Sequence, residues 1–349
     1  MTTVAHETGP FFKELIGRIL SRENLMPEQA YQAMISIMTG QVSEVQTAGF
    51  LIALRAKGET PHEIEGCARA MRDLATPVKS RYSLLVDTCG TGGDGKSTFN
   101  ISTTAAFVVA GAGVPVAKHG NRSVSSRCGS ADVLEALGVK VDLGPAEVER
   151  CLDTVGIAFL FAPRFHPSMR NAAKVRKDLG VRTIFNILGP LTNPAFTKAQ
   201  VVGVYQPELT PILAQVLSAL GTKRSLVVHG HGGVDEFSIT GPTQVTEVED
   251  GIIRNYQVHP QDLGFALGKP EDVAGSTPEE NAMITRSILS GEKGPRRDVV
   301  LLNAAAALLA AGAVRDLKDG VRLAAESIDS RKALATLDAL VETTLALAS

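Results

Sequence analysis

The stretch SLLVDTCGTGGDGKSTFNIS, residues 83–102, opens as an apolar run, crosses four glycines and ends in residues suited to start a helix. Within it, Gly90–Ser97 satisfies both the P-loop pattern and the dinucleotide fingerprint, which predict different ligands. A P-loop helix starts at the Lys-Ser pair and is accompanied by an apolar strand ending in a Mg²⁺-binding Asp. Here the natural capping residues are Asn100, Ser102 and Thr103, just before AAFVVAGA, with Phe99 able to staple the first turn, so Lys96 stays in the loop. The dinucleotide reading needs an acid about twenty residues on, at the ribose. That place holds Lys118. What survives is the content common to both patterns: backbone N–H groups facing an anion, glycines that permit close approach, and a helix N-terminus pointing the same way. A phosphate site is expected, against the alternative of a glycine-rich turn without a ligand.

A second segment decides between these. After the strand-like GVPVA comes KHGNRSVSSRCGS, Lys118–Ser130, with three cationic side chains, four serines and two glycines in thirteen residues. A loop of that composition at the C-terminal end of a parallel strand lies where open α/β sheets bind ligands. A third element is Asp235-Glu236, following Gly232-Gly233 and expected at the start of another short strand. Paired carboxylates suit Mg²⁺, which takes a few protein oxygens and completes its shell with water and substrate phosphates. Ser102 is a further candidate oxygen ligand.

Around these motifs the pattern is α/β. Residues 11–75 read as helices: FFKELIGRIL sets Phe11, Phe12, Leu15, Ile16 and Ile19 on one stripe, Ser43–Gln46 forms a capping box for a helix ending at Gly58, and Thr60-Pro61-His62-Glu63 opens the next. From about residue 82, short β-branched runs (SLLVD, GVPVA, GIAFLFA, VVGVY, SLVVHG) alternate with Ala-rich helices, which predicts a mostly parallel sheet covered by helices. The basic segment from Arg164 to Asn193 has no strand-like run until TIF and is expected to cross back to the helical module. GHGGVDEF and GEKGPRRD read as loops, and the last fifty residues as amphipathic helices. The expected division is a helical domain over 1–78 joined by a returning segment near 165–195, and an α/β domain over 79–164 and 196–349.

With 44% hydrophobic residues the chain can bury a large core, and a net charge of -2 gives no global reason to bind nucleic acid or an anionic membrane. The apolar stretches 105–117 and 299–314 are too short or too rich in Gly and Ala to span a bilayer. MTTVAHETGPFF lacks the features of a secretory signal, so cytoplasmic residence is expected. Cys67, Cys89, Cys128 and Cys151 show neither C-x-x-C spacing nor clustered histidines, and read as reduced thiols.

DTCGTGGDGKSTFNIST, VAKHGNRSVSSRCGSADVLEALG, VRKDLGVRTIFNILGPLTNP and VDEFSITGPTQV, in this order and spacing, closely resemble the anthranilate phosphoribosyltransferases of tryptophan biosynthesis. The resemblance runs from the N-terminal helices to NAAAALLAAG. It implies a nucleoside phosphorylase-like fold with a small helical domain, a homodimer through that domain, and Mg²⁺-dependent use of phosphoribosyl pyrophosphate (PRPP). Carried over by motif, Gly90, Gly93, Asp94, Thr98, Asn100, Ile101, Ser102, Thr103, Lys118, His119, Gly120, Asn121, Arg122, Ser123, Val124, Ser125, Ser126 and Ser130 would bind the donor. Lys118 and Arg122 would act in catalysis. Ser102, Asp235 and Glu236 would hold Mg²⁺, and Asn121 and Arg176 the anthranilate carboxylate, with Gly90, His119 and His166 nearby and Arg182 behind them. Two departures stand out: Lys174 occupies a place where the family commonly has proline, and Cys128 sits within the donor loop. Other readings are a pyrimidine nucleoside phosphorylase, a relative weaker at KHGNRS and VDEFS, and a non-catalytic nucleic-acid-binding relative, which the near-neutral charge and intact acidic pair disfavour.

Overall fold

The polypeptide, as a computed structural model, is described over residues 4–123 and 127–348, with the side chains of residues 4–8 left aside. It divides into two units: the chain up to Thr76 with Phe165–Thr192, and Pro77–Arg164 with the chain from Asn193 onward.

The first unit is helical. On the helix Val4–Leu20, Phe12, Leu15 and Ile19 are buried, and Phe12 meets Phe50 edge-on at 5.6 Å. The helix Glu44–Lys57 is capped by Ser43, whose hydroxyl accepts from the Gln46 N–H, and it stops at Gly58. Thr60 and Glu63 form a reciprocal capping box at Pro61–Asp73. Glu63 also receives the Leu25 N–H and the Lys57 ammonium, each at 2.9 Å, so this fully buried carboxylate is completely partnered. The returning segment is bound by Thr76 N–H to Phe165 O and by Asn171 Nδ2 to Met38 O. Thr183-Ile184-Phe185 is not a strand: the Asn186 side chain accepts from the Thr183 N–H, and a short helix, Phe185–Leu188, begins there.

The second unit is built on a seven-stranded sheet. Five strands, β1 (Val86–Thr88), β2 (Val116–Gly120), β3 (Ile157–Phe161), β4 (Ala199–Gly203) and β5 (Arg224–Gly230), run parallel. A hairpin of β6 (Thr243–Glu249) and β7 (Ile252–Val258) completes the order β3-β2-β1-β4-β5-β6-β7 in antiparallel sense. The parallel strands are almost wholly buried, as strands covered on both faces must be. The fold class is thus a helical bundle with a mostly parallel α/β domain. β6 and β7 were absent from the sequence reading, although Asp250-Gly251 between alternating segments is a two-residue hairpin signal; both residues have positive φ, 47° and 83°.

Three local expectations are corrected. β2 does not end at Ala117 but continues through Lys118 and His119, because both find partners inside the sheet. Asp235-Glu236 is not the start of a strand: Gly232 and Gly233, with φ of 80° and 82°, curl the chain, and the next strand begins only at Thr243. GEKGPRRD is a loop only to Gly294, since Pro295 opens the helix Pro295–Ala310, whose residues from Val299 onward are all buried.

Candidate active site

The strand order reverses at β1: β2 and β3 lie on one side, β4 and β5 on the other. Crevices outside the carboxyl ends of strands at such a switch point are where open α/β sheets bind ligands. Here β1 runs into Gly90 and β4 into Gly203, and the two ends are tied by Thr91 N–H to Gly203 O at 2.8 Å. The Asp235-Glu236 loop lies directly against them. A Cβ on Gly90 would collide with the Asp235 carboxylate, and one on Gly203 with the Asp235 carbonyl. Only glycine admits the acidic loop at these two positions.

Besides Gly90, five of the expected site residues meet here. Asp235 accepts the Gly92 N–H at 2.8 Å, and Glu236 accepts the Ser102 N–H, at the first turn of the helix Ile101–Gly111, at 3.1 Å. Asp94 turns inward: one oxygen accepts from its own loop at Lys96, the other from the Asp235 N–H. Lys118, buried in β2, donates to the Thr88 carbonyl and lies 3.4 Å from the Ser102 hydroxyl. The glycine loop and the helix start therefore present fewer bare N–H groups than the sequence suggested. Carboxylates of the same chain take those of Gly92, Lys96 and Ser102.

The charge balance is negative. Burial, then the neighbouring Asp94 charge, holds the Asp235 carboxyl above its usual range; burial, then Asp235, does the same for Glu236, and Lys118 opposes this only in part. Asp87 in β1 is pushed up to about 6 by burial against the pull of Lys118 and of hydrogen bonds from Asn193 and His119. Two half-buried carboxylates and the Ser102 hydroxyl form an all-oxygen set of the kind a hard divalent cation takes. Among the described residues no three His, Cys, Asp or Glu side chains converge as a metal site, so such a cation would draw the rest of its shell from water and substrate.

The remaining expected residues divide. Asn100 is the N-cap position, but its side chain bonds Cys128 and Asn281 rather than the helix. Ile101 and Thr103 are buried in the first turn of the helix, while Thr98 bridges to Ala274 and Gly93 sits at φ 74° in the loop. Asn121, Arg122, Ser123 and Ser130 make a second cluster beyond Gly120. The Ser130 hydroxyl donates to Asn121 O, and Asp132 accepts from Ser123 N–H. The Arg122 guanidinium is already gripped by Glu135 at 2.7 Å and Asp132 at 3.1 Å. Val124, Ser125 and Ser126 lie outside the described residues. Cys128 is buried and forms no disulfide, its thiol pushed up to about 11 by burial.

Arg176 and His166 belong to the helical unit. Arg176 lies half-buried over the Phe185 ring at 5.1 Å, and burial lowers its pKa. His166 is buried, and burial lowers it to about 4 despite a main-chain hydrogen bond at Thr192. Arg182 is exposed, and Lys174 bridges Glu44 and Asp178.

Sequence reasoning missed Asp87, Thr88 and Asn193. Asn193 donates 2.8 Å bonds to the Asp87 carboxylate and to Ala117 O, so it locks β1 to β2 beneath Lys118. The available signal was polar residues inside otherwise apolar strand runs.

Known proteins match along nearly the whole chain. Residues 13–75 match the glycosyl transferase family helical bundle domain, and residues 83–334 the glycosyl transferase family a/b domain. An anthranilate phosphoribosyltransferase of Symbiobacterium thermophilum is 58% identical over 332 residues, 95% of this chain and 97% of its own. The crystal structure of the enzyme of that name from Thermus thermophilus superposes with a TM-score of 0.90 at 47% identity, covering 95% of this chain and 99% of the other. The Saccharomyces cerevisiae enzyme in complex with PRPP and Mg gives a TM-score of 0.88 at 29% identity, with 96% and 98% covered; the same enzyme is also solved with 4-fluoroanthranilate. By these matches over both units, the chain belongs to the anthranilate phosphoribosyltransferase family of glycosyl transferases.

Proposed function

We propose that the crevice at β1 and β4 binds PRPP with Mg²⁺, and that the protein transfers the phosphoribosyl group to the amine of anthranilate in tryptophan biosynthesis. The observation that carries this is the convergence of Asp235, Glu236, Ser102 and Lys118 at the switch point. In the reaction the bond from ribose C1 to the pyrophosphate oxygen breaks, a bond from the amine nitrogen to C1 forms, and the amine releases a proton. Positive charge grows on the sugar and negative charge on the leaving group, so the protein's task is to neutralise the latter and align the amine.

Lys118 is the principal cation for the leaving group: it is held rigidly by Thr88 and faces the loop from within the sheet. Arg122 is second, because its fork must share with Glu135 and Asp132. Gly90, Gly93, Asp94, Thr98, Asn100 to Thr103, His119 to Ser123 and Ser130 would line the donor, and Val124 to Ser126 belong to the same motif. Asp235, Glu236 and Ser102 would hold Mg²⁺, which supplies Lewis-acid neutralisation of the pyrophosphate oxygens when bound. Arg176 suits the anthranilate carboxylate, because a planar guanidinium can bond both oxygens. Asn121 and His119 in the α/β unit, and His166 in the helical unit, are further candidates for the acceptor by motif alone. An aromatic amine is neutral at pH 7 and needs no strong base. A homodimer through the helical unit completes the reading. No helix among the described residues is long and apolar enough to cross a membrane.

Paired assays test this: anthranilate with PRPP, and thymidine with phosphate. Consumption of anthranilate alone is expected; turnover of thymidine alone would replace this reading with a nucleoside phosphorylase. Arg176→Ala is expected to raise the anthranilate KM with little change in the PRPP KM, and a selective loss of donor affinity would contradict its role.

A further inference from the structure

Asn303 is the polar residue in VVLLNAAAALLA, the part of the helix Pro295–Ala310 that is buried throughout. A buried carboxamide costs stability unless its groups are bonded. This one is bonded on both sides: Oδ1 accepts from Phe237 N–H at 3.0 Å, while Nδ2 donates to Phe237 O at 3.0 Å and to Val299 O at 2.9 Å. An amide that pairs with both main-chain groups of one residue fixes that residue in place and in rotation. Phe237 directly follows Glu236, and its ring is fully buried, so the clamp acts on the residue next to the acidic pair. Asn303 and Glu236 also line one narrow cleft with Gly90, Ser102 and Gly203.

The acidic loop is also held by the Asp235 carboxylate at Gly92, by Glu236 at Ser102 and by Gly230 N–H at Val234 O, but it is Asn303 that takes both main-chain groups of the residue after Glu236. Its preceding glycines take left-handed conformations, and no strand begins until Thr243. An apolar residue at position 303 would fill the space without fixing Phe237. The geometry points to Asn303 as a positioning residue that sets the Asp235-Glu236 carboxylates at the spacing a divalent cation requires, an assignment resting on the reading that this pair holds the cation. Groups behind metal ligands commonly govern affinity in this way, with losses on the order of 10–100-fold when removed.

The test uses the full chain and Mn²⁺ alone as the probe, with free Mn²⁺ followed by electron paramagnetic resonance. Asn303→Leu is expected to weaken Mn²⁺ binding on the order of tenfold or more. Leu301→Ala, a buried position two residues from Asn303 and so on the opposite side of the same helix, is expected to lower the unfolding temperature but keep the wild-type Mn²⁺ affinity. Should the Leu variant not fold, Asn303→Ala carries the same expectation. Wild-type affinity in a folded Asn303 variant, or an equal loss in Leu301→Ala, overturns the assignment. Asp235→Asn with Glu236→Gln separates the two levels. If that double variant loses Mn²⁺ and Asn303→Leu does not, the clamp alone is wrong. If the double variant binds like wild type, or the wild type binds no Mn²⁺ either alone or with pyrophosphate added, the metal reading itself fails.

Discussion

Lys118 and Lys96 lie on either side of one question, which lysine serves the anion site. Lys96 is exposed on the glycine loop, whereas Lys118 is 3% exposed, bonded to Thr88 and set against Asp87 and Glu236. Removing one partner of a buried charge cluster strands the others, at a cost on the order of 3 kcal/mol. Lys118→Met should therefore lower both the urea midpoint and turnover, while Lys96→Met leaves the midpoint unchanged. Equal effects of the two would contradict the burial argument. Lys118 was legible in sequence because it follows a strand-like run; Asp87 and Asn193 were not, because they meet only when distant segments pair. His166 adds a pH dependence in the helical unit. Its folded pKa of about 4 lies below the ordinary 6.5, so the unfolded chain takes up a proton first. Its contribution, up to about 3 kcal/mol, is complete above pH 6.5 and is lost as pH falls through 4. In His166→Gln the urea midpoint should fall less steeply over that window than in the wild type; parallel slopes would refute the assignment.

At the scale of elements, local chemistry was readable wherever one residue's side chain meets its own backbone. Ser43 and Thr60 cap the helices they were expected to open, whereas Asn100 stands at the expected start of the helix after the glycine loop but bonds Cys128 and Asn281 through its side chain, and Ser102 and Thr103 lie inside that helix. Elements fixed by distant contacts were not readable in this way. The β6–β7 hairpin was absent from the sequence reading, its second strand being largely exposed and so without a clear apolar alternation, and the acidic loop owes its shape to Asn303 and to the close approach allowed by Gly90 and Gly203. Gly203 is the sharpest case, since a Cβ there strikes the backbone of Asp235, which cannot rotate away. Gly203→Ala should destabilise the protein by about 1–3 kcal/mol. It should also displace the acidic loop, seen as a raised Mg²⁺ requirement; wild-type stability and Mg²⁺ response would show that the loop is free to move.

Over the whole molecule, the strand order puts four distant segments at one end of the sheet: the glycine loop, the end of β2, the end of β4 and the acidic loop. The α/β class and three of these segments could be read from motif order alone. That β1 lies between β2 and β4, which brings the segments to one crevice, depends on pairing that no local pattern encodes. The central claim is that this crevice works through a carboxylate-held cation at a pyrophosphate. It is tested most directly by following anthranilate fluorescence with PRPP while Mg²⁺ is varied, in the wild type and in Asp235→Asn with Glu236→Gln. The account predicts Mg²⁺-dependent consumption in the wild type and a loss of turnover in the double variant that is greatest at limiting Mg²⁺. Equal activity and an equal Mg²⁺ requirement in the two would contradict it.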